Sequence, residues 1–180
     1  CHEKGIKGLV IITAGFKETG PEGLKAEQAL LEKIRAYGMR CVGPNCLGVV
    51  NTHPSIRMDG CFAEALPERG DIGFVSQSGA LGGGILNILK DLNLGFAQFI
   101  SIGNQADINA ETAMEYWENE EDVKQILLYM ESIQNPANFR RLATRISKKK
   151  PILALKAGRS AAGASAASSH TGSLAGADMA

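Results

Sequence analysis

The chain has 180 residues, 44% of them hydrophobic and 21% charged, enough for one well-buried core or one domain and part of a second. Its 19 Lys and Arg balance its 19 Asp and Glu, so no basic footprint points to nucleic acid. No apolar run approaches the roughly 20 residues that cross a bilayer, and no export signal opens the chain.

Strands and helices alternate along the chain. Gly8 to Thr13 is a short β-branched run, expected to be a buried parallel strand. Leu24 to Tyr37 follows as a helix with Leu24, Leu30, Leu31 and Ile34 on one stripe, broken by Glu27, and Gly38 stops it. Arg40 to Val42 is a second strand, leading into the loop Gly43-Pro44-Asn45-Cys46-Leu47-Gly48. Residues 51–67, with Pro54 and Pro67 and little periodicity, are expected to be a connector. A second unit runs from about residue 68: strands at Ile72–Val75, Phe96–Ile102, Gln125–Met130 and Pro151–Leu155 alternate with helices at Ala80–Leu89, Ala110–Trp117 and Pro136–Lys148.

Repeated βα units imply an α/β fold: a parallel sheet with helices on both faces. In such sheets functional groups gather beyond the carboxyl ends of the strands, and Ser76, Gly103, Glu131 and Lys156 all follow strand ends. Residues 1–50 hold only the last part of a βα domain, and the chain stops where a further helix is expected; it is expected to be a fragment of a larger protein.

The four cysteines, Cys1, Cys41, Cys46 and Cys61, form no C-x-x-C pair and no zinc spacing, as reduced structural thiols in a cytosolic protein would. No metal site is expected from them. Ser76-Gln77-Ser78-Gly79 leads into a helix carrying Gly82, Gly83 and Gly84. A helix N-terminus with two serine hydroxyls and a close backbone approach suits a phosphate cradle; a serine cap with glycines for helix–sheet packing explains the same residues. His170, in a stretch of Ala, Ser and Gly, is either a nucleophilic imidazole or part of a tether. Glu131, ending an apolar strand, is either the carboxylate that orients an imidazole or a surface charge. Asn45 and Cys46 line a ligand site or form a plain turn. Lys148 to Lys150 and the cluster Glu118, Glu120, Glu121 and Asp122 read as solvated charge, and His2 and His53 have no evident partners.

GPNCLG, DIGFVSQSGAL, SIGNQADIN, YMES and SSHTGSLAG, in this order, resemble the nucleoside-diphosphate-forming acyl-CoA synthetases, a superfamily that includes the ADP-forming acetyl-CoA synthetases and succinyl-CoA synthetase. The resemblance covers nearly the whole chain. It implies that residues 1–50 end a Rossmann-like CoA-binding domain, that 51–67 connect, and that 68–180 form a flavodoxin-like domain truncated at its end. It further implies a phosphohistidine at His170, held by Glu131, with Ser76, Gln77, Ser78 and Gly79 holding phosphate and Asn45 and Cys46 beside the CoA thiol. The implied cofactors are CoA and, in an ATP-grasp domain or subunit not contained in this chain, ATP or ADP with Mg²⁺. An acyl-CoA or carboxylic acid substrate and an oligomeric assembly are implied as partners, in the cytoplasm. An alternative is the synthetase-like regulatory region of a protein acetyltransferase, which resembles this chain but lacks the catalytic histidine.

Overall fold

The computed structural model describes residues 1–63 and 68–158; His170 lies outside the described residues. Two short apolar runs, β1 (Gly8–Val10) and β2 (Arg40–Val42), pair in parallel as a two-stranded sheet. The helix between them, α1 (Pro21–Ala36), starts with proline in its first turn, where a missing N–H costs no intrahelical bond. Gly38, at φ 63, ends it; the N–H groups of Gly38 and Met39 return to the carbonyls of Arg35 and Ile34 at 2.9 and 3.0 Å.

The first run is less buried than its composition implies. Leu9 and Ile11 pack with Cys41 against Leu30 and Ile34, while Val10 and Ile12, on the opposite pleat, stay 41% and 44% exposed. Alternate side chains point to opposite faces, and one helix covers only one of them. Leu24 is also exposed, whereas Glu27, which interrupts the apolar stripe, is buried.

The main sheet has six strands in the order β4-β3-β6-β5-β7-β8. Its elements are β3 (Gly48–Asn51), β4 (Met58–Cys61), β5 (Arg69–Ser76), α2 (Gly79–Asp91), β6 (Phe96–Ser101), α3 (Ala110–Trp117), β7 (Gln125–Met130), α4 (Pro136–Ile146) and β8 (Ile152–Lys156). β5 pairs in parallel with β6 and β7, and β7 with β8. The stretch expected to be a connector, 51–67, contains the turn and second strand of an antiparallel hairpin that starts just before it: β3 pairs with β4 and, along its other edge, with β6, so the sheet is mixed. Pro54 lies in the turn of that hairpin, which is why its proline and weak periodicity resemble a linker.

Helices cover both faces, and strand alternation assigns each residue. Ile126, Leu128 and Met130 of β7 join Trp117 of α3 and Leu142 and Ile146 of α4 in one cluster. Leu127 and Tyr129, on the opposite pleat, pack with Phe74, Phe96, Phe99 and Leu86 of α2 in another. The side chains of Ser78, Asn109 and Asn135 cap α2, α3 and α4 by accepting a backbone N–H of the first turn. The charged stretches are more engaged than solvated faces would be. Lys150 donates to the carbonyls of Trp117 and Glu120 at 2.5 and 2.6 Å, closing the end of α3 rather than its own helix. Arg145 forks onto Glu118 at 2.6 and 3.0 Å. His53 stands 3.3 Å from Asp122, and His2 stacks on Tyr37 at 4.4 Å.

Candidate functional site

The parallel strands deliver their carboxyl ends to one edge, where Ser76, Gly103, Glu131 and Lys156 all stand at or just beyond a strand end. Ser76 is fully buried, and its hydroxyl donates to the Ser78 carbonyl at 2.6 Å. It therefore shapes the turn and offers no donor outward, against the expectation of two serine donors. The Ser78 oxygen accepts the Leu81 N–H at 3.4 Å, and the Ser78 carbonyl accepts that of Gly82 at 3.0 Å. The N–H groups of Gly79 and Ala80, which have no carbonyl one turn earlier in the helix, point out of its N-terminus beside the Ser78 hydroxyl. A close backbone approach holds at Gly82 alone: a Cβ there would lie 3.0 Å from Ser76 Cβ and 3.1 Å from Phe99, whereas Gly84 faces open space. The serine cap and the helix–sheet contact are thus both present, and neither occupies the two leading N–H groups.

Gln77 is buried and spans two strand ends. Its Oε1 accepts the backbone N–H groups of Glu131 and Ser132 at 2.8 and 3.0 Å, and its Nε2 donates to the Ser132 hydroxyl at 3.1 Å. Gln105 Nε2 reaches the same hydroxyl at 3.3 Å. The carboxamide expected to touch phosphate fixes the backbone at Glu131, which is 4% exposed just beyond the end of β7. Burial, and then the negative charge of Glu131, push the Tyr129 phenol above its ordinary pKa.

The loop after β2 completes the edge. Asn45 adopts φ 56, a left-handed conformation that asparagine tolerates better than most residues, and its N–H bonds to the Thr13 carbonyl at 3.1 Å. The Cys46 thiol faces the Ile11 carbonyl at 3.4 Å, and burial pushes its pKa up to about 11. It is a protonated wall of the site, not a thiolate nucleophile. Gly103, at φ 51, lies under this loop, where a Cβ would run into the carbonyl oxygens of Pro44 and Asn45. A cleft of about 360 Å³ results, and its lining includes Asn45, Cys46, Gln77, Ser78 and Gly79. Residues far apart in sequence, expected at the CoA end and at the phosphate turn, thus share one cavity. Ile12, Leu47 and Phe62 give it an apolar side. All four cysteines are free, and among the described residues no group of three or more His, Cys, Asp and Glu is placed to hold a metal ion.

Sequence reasoning missed Asn104, which lines the same cleft. Its Nδ2 donates to Glu18 Oε2 at 2.6 Å and to Glu27 Oε2 at 2.8 Å, and its Oδ1 accepts from Asn45 Nδ2 at 3.3 Å. Its N–H bonds to the Pro44 carbonyl at 2.9 Å, and its carbonyl accepts from Lys17 Nζ. Burial lowers the Lys17 pKa, against the opposing pull of Glu27 and Glu18. Burial raises that of Glu18, but hydrogen bonds from Asn104 and the Gly15 and Phe16 amides outweigh it and leave the carboxyl below its ordinary range. The signal available in the sequence was Glu27 itself, a charge at an apolar position of a helical stripe.

A mixed, mainly parallel α/β sheet with a capped helix N-terminus, a buried carboxylate and a second loop meeting at the strand ends places the chain in the class of open α/β domains, in which ligand sites gather at that edge of the sheet. The family model of the succinyl-CoA ligase like flavodoxin domain matches residues 69–180, and the chain belongs to that family. The alpha subunit of acetate–CoA ligase [ADP-forming] II of Pyrococcus furiosus is 49% identical over 176 residues, covering 98% of this chain and 38% of the relative. Acetate–CoA ligase [ADP-forming] of Methanocaldococcus jannaschii is 47% identical over 179 residues, covering 99% of this chain and 25% of the relative. Among solved structures, the dinucleotide forming acetyl-coenzyme A synthetase 1 of Ca. Korarchaeum cryptofilum, in complex with phosphate and ADP, matches with a TM-score of 0.91 at 36% identity, over 98% of this chain and 38% of that one. The chain thus spans between a quarter and two fifths of the length of these relatives.

Proposed function

We propose that this chain is the acyl-transfer and phosphoryl-carrying part of an ADP-forming acyl-CoA ligase, which interconverts acyl-CoA, ADP and phosphate with carboxylic acid, CoA and ATP. The observation that carries this reading is the single cleft shared by Asn45 and Cys46 with Gln77, Ser78 and Gly79. In this reading residues 1–50 end a CoA-binding domain and residues 68–180 form the flavodoxin-like domain, with the β3–β4 hairpin at their junction paired to β6. The thiol end of CoA lies at Asn45 and Cys46. Phosphate lies at the N-terminus of α2, held by the Gly79 and Ala80 N–H groups and the Ser78 hydroxyl, where unpaired N–H groups and the helix dipole favour an anion. Ser76 and Gln77 serve this site by shaping the turn and fixing Glu131.

In the acid-forming direction, a phosphate oxygen attacks the thioester carbonyl carbon, the C–S bond breaks, and CoA leaves as thiolate and takes a proton. An imidazole nitrogen of His170 then attacks phosphorus, the P–O bond to the acyl group breaks, and the carboxylate leaves. The phosphoryl group passes from His170 to the terminal phosphate oxygen of ADP. Glu131 accepts the other imidazole N–H, which fixes the tautomer and stabilises the charged ring. Nucleotide and Mg²⁺ bind an ATP-grasp region supplied by the remainder of the protein or by a partner subunit, in the cytoplasm.

The test uses the full-length protein with γ-labelled ATP and Mg²⁺. Label that is acid-labile and base-stable, and lost in His170→Asn, is expected. Label that persists in this variant sinks the assignment of His170, and a full-length protein that takes up no label favours a regulatory, synthetase-like role.

A further inference from the structure

We infer that Asn104 is a positioning residue for the CoA end of the cleft, setting the amide of Asn45 from a frame anchored in α1. The inference rests on the reading of the Asn45 loop as a CoA contact.

The geometry admits one kind of side chain. Asn104 is 3% exposed, and each polar group it owns has a partner. Two carboxylates, Glu18 and Glu27, meet one of its side-chain atoms at 2.6 and 2.8 Å. Carboxylates only accept, so that atom must be the NH₂ with its two hydrogens. The carbonyl oxygen then faces Asn45, whose Nδ2 approaches at 3.3 Å. A side chain with two donors on one branch and an acceptor on the other, at this length, is asparagine. Aspartate would set a third carboxylate against two others, and alanine would leave Glu27, itself 6% exposed, without its amide partner.

This arrangement reaches the cleft from behind. Glu18 lies in the turn Lys17–Thr19, which leads into α1, and Glu27 lies within α1. Asn104 follows β6 and holds the loop through the Pro44 carbonyl as well as through Asn45. One residue thus ties the α1 unit, the β6 end and the loop together. Asn104 also lines the cleft, but its side-chain groups are engaged by Glu18, Glu27 and Asn45, so it acts there by setting the Asn45 amide.

Calorimetric titration of the full-length protein with CoA, for the wild type, Asn45→Ala, Asn104→Ala and the double variant, tests this. Each single variant is expected to bind CoA about tenfold more weakly, the size of one well-formed hydrogen bond. The double variant is expected to be no weaker than the worse single one, because both act through one contact. Inorganic phosphate, titrated separately, is expected to bind all four within about twofold, since none alters the α2 N-terminus; a merely structural loss lowers both affinities together. Asn104→Ala that binds CoA like the wild type, additive losses in the double variant, or equal loss of phosphate overturns the inference and leaves the functional reading standing. A wild type that does not bind CoA overturns both. Should Asn104→Ala fail to fold, Glu27→Gln loosens the same amide from the α1 side. About threefold weaker CoA binding is then expected, and unchanged binding overturns the inference.

Discussion

Among the described residues, Ile34, Met39 and Cys41 form a three-residue buried cluster around the two-stranded sheet, while 13 buried residues fill the α3 and α4 side of the six-stranded sheet. The larger sheet is held by apolar packing on two faces. The smaller one is joined to it by polar contacts: Asn104 to Glu18 and Glu27, and Asp107 to Arg40 and the Cys41 N–H at 2.7 and 3.0 Å. The difference has a functional sense. Apolar cores interlock rigidly and hold the α2 N-terminus and Glu131 in place, whereas a polar joint specifies direction, which suits the proposed presentation of the Asn45 amide to CoA.

The contrast predicts unequal responses to substitution. Phe74→Ala removes a fully buried ring that packs on Phe96 and Phe99 at 5.7 and 5.3 Å. It is expected to cost about 3–5 kcal/mol in denaturant unfolding; a loss near zero would show that the α2 face is not a packed core. Gly103→Ala places a Cβ against the Pro44 and Asn45 carbonyls at φ 51. A cost of roughly 2–4 kcal/mol is expected from backbone strain and overpacking, together with weaker CoA binding in the full-length protein. Stability and binding both unchanged would mean that the loop does not sit on Gly103.

The smallest effect concerns the polar joint. The Glu18 carboxyl is held below its ordinary range, so its ionised form favours the folded state. That contribution is complete above the unfolded carboxylate pKa of about 4.3 and is lost as pH falls through the lower folded value. Glu18→Gln is therefore expected to be less stable than the wild type near pH 7 and to flatten the acid limb of stability below about pH 4. Because Glu18 is partly exposed, solvent screening keeps the difference small. An acid limb of the same steepness in both proteins would remove Glu18 from the joint.

The elements of the main sheet were legible because each apolar run carried its own period and punctuation: α3 and β7 lie where their patterns place them. The β3–β4 hairpin was not, because its partner along the sheet, β6, is far away in sequence and pairing leaves no local pattern. The site was half legible. Ser78, Gly79 and Glu131 stand at strand ends or helix starts, and Asn45 in the loop between two strands, positions that motifs mark. Gln77 and Asn104 carry side-chain bonds across strands and loops, which no motif marks.

By itself the sequence determined the α/β alternation and the family, since local periodicity and motif order are properties of the chain alone. Only the tertiary structure decided that Ser76 is turned inward, that Gln77 serves Glu131, and that Asn104 joins α1 to the Asn45 loop. The physical reason is that a hydrogen-bonding side chain has several possible partners, and only the packing of distant segments selects among them.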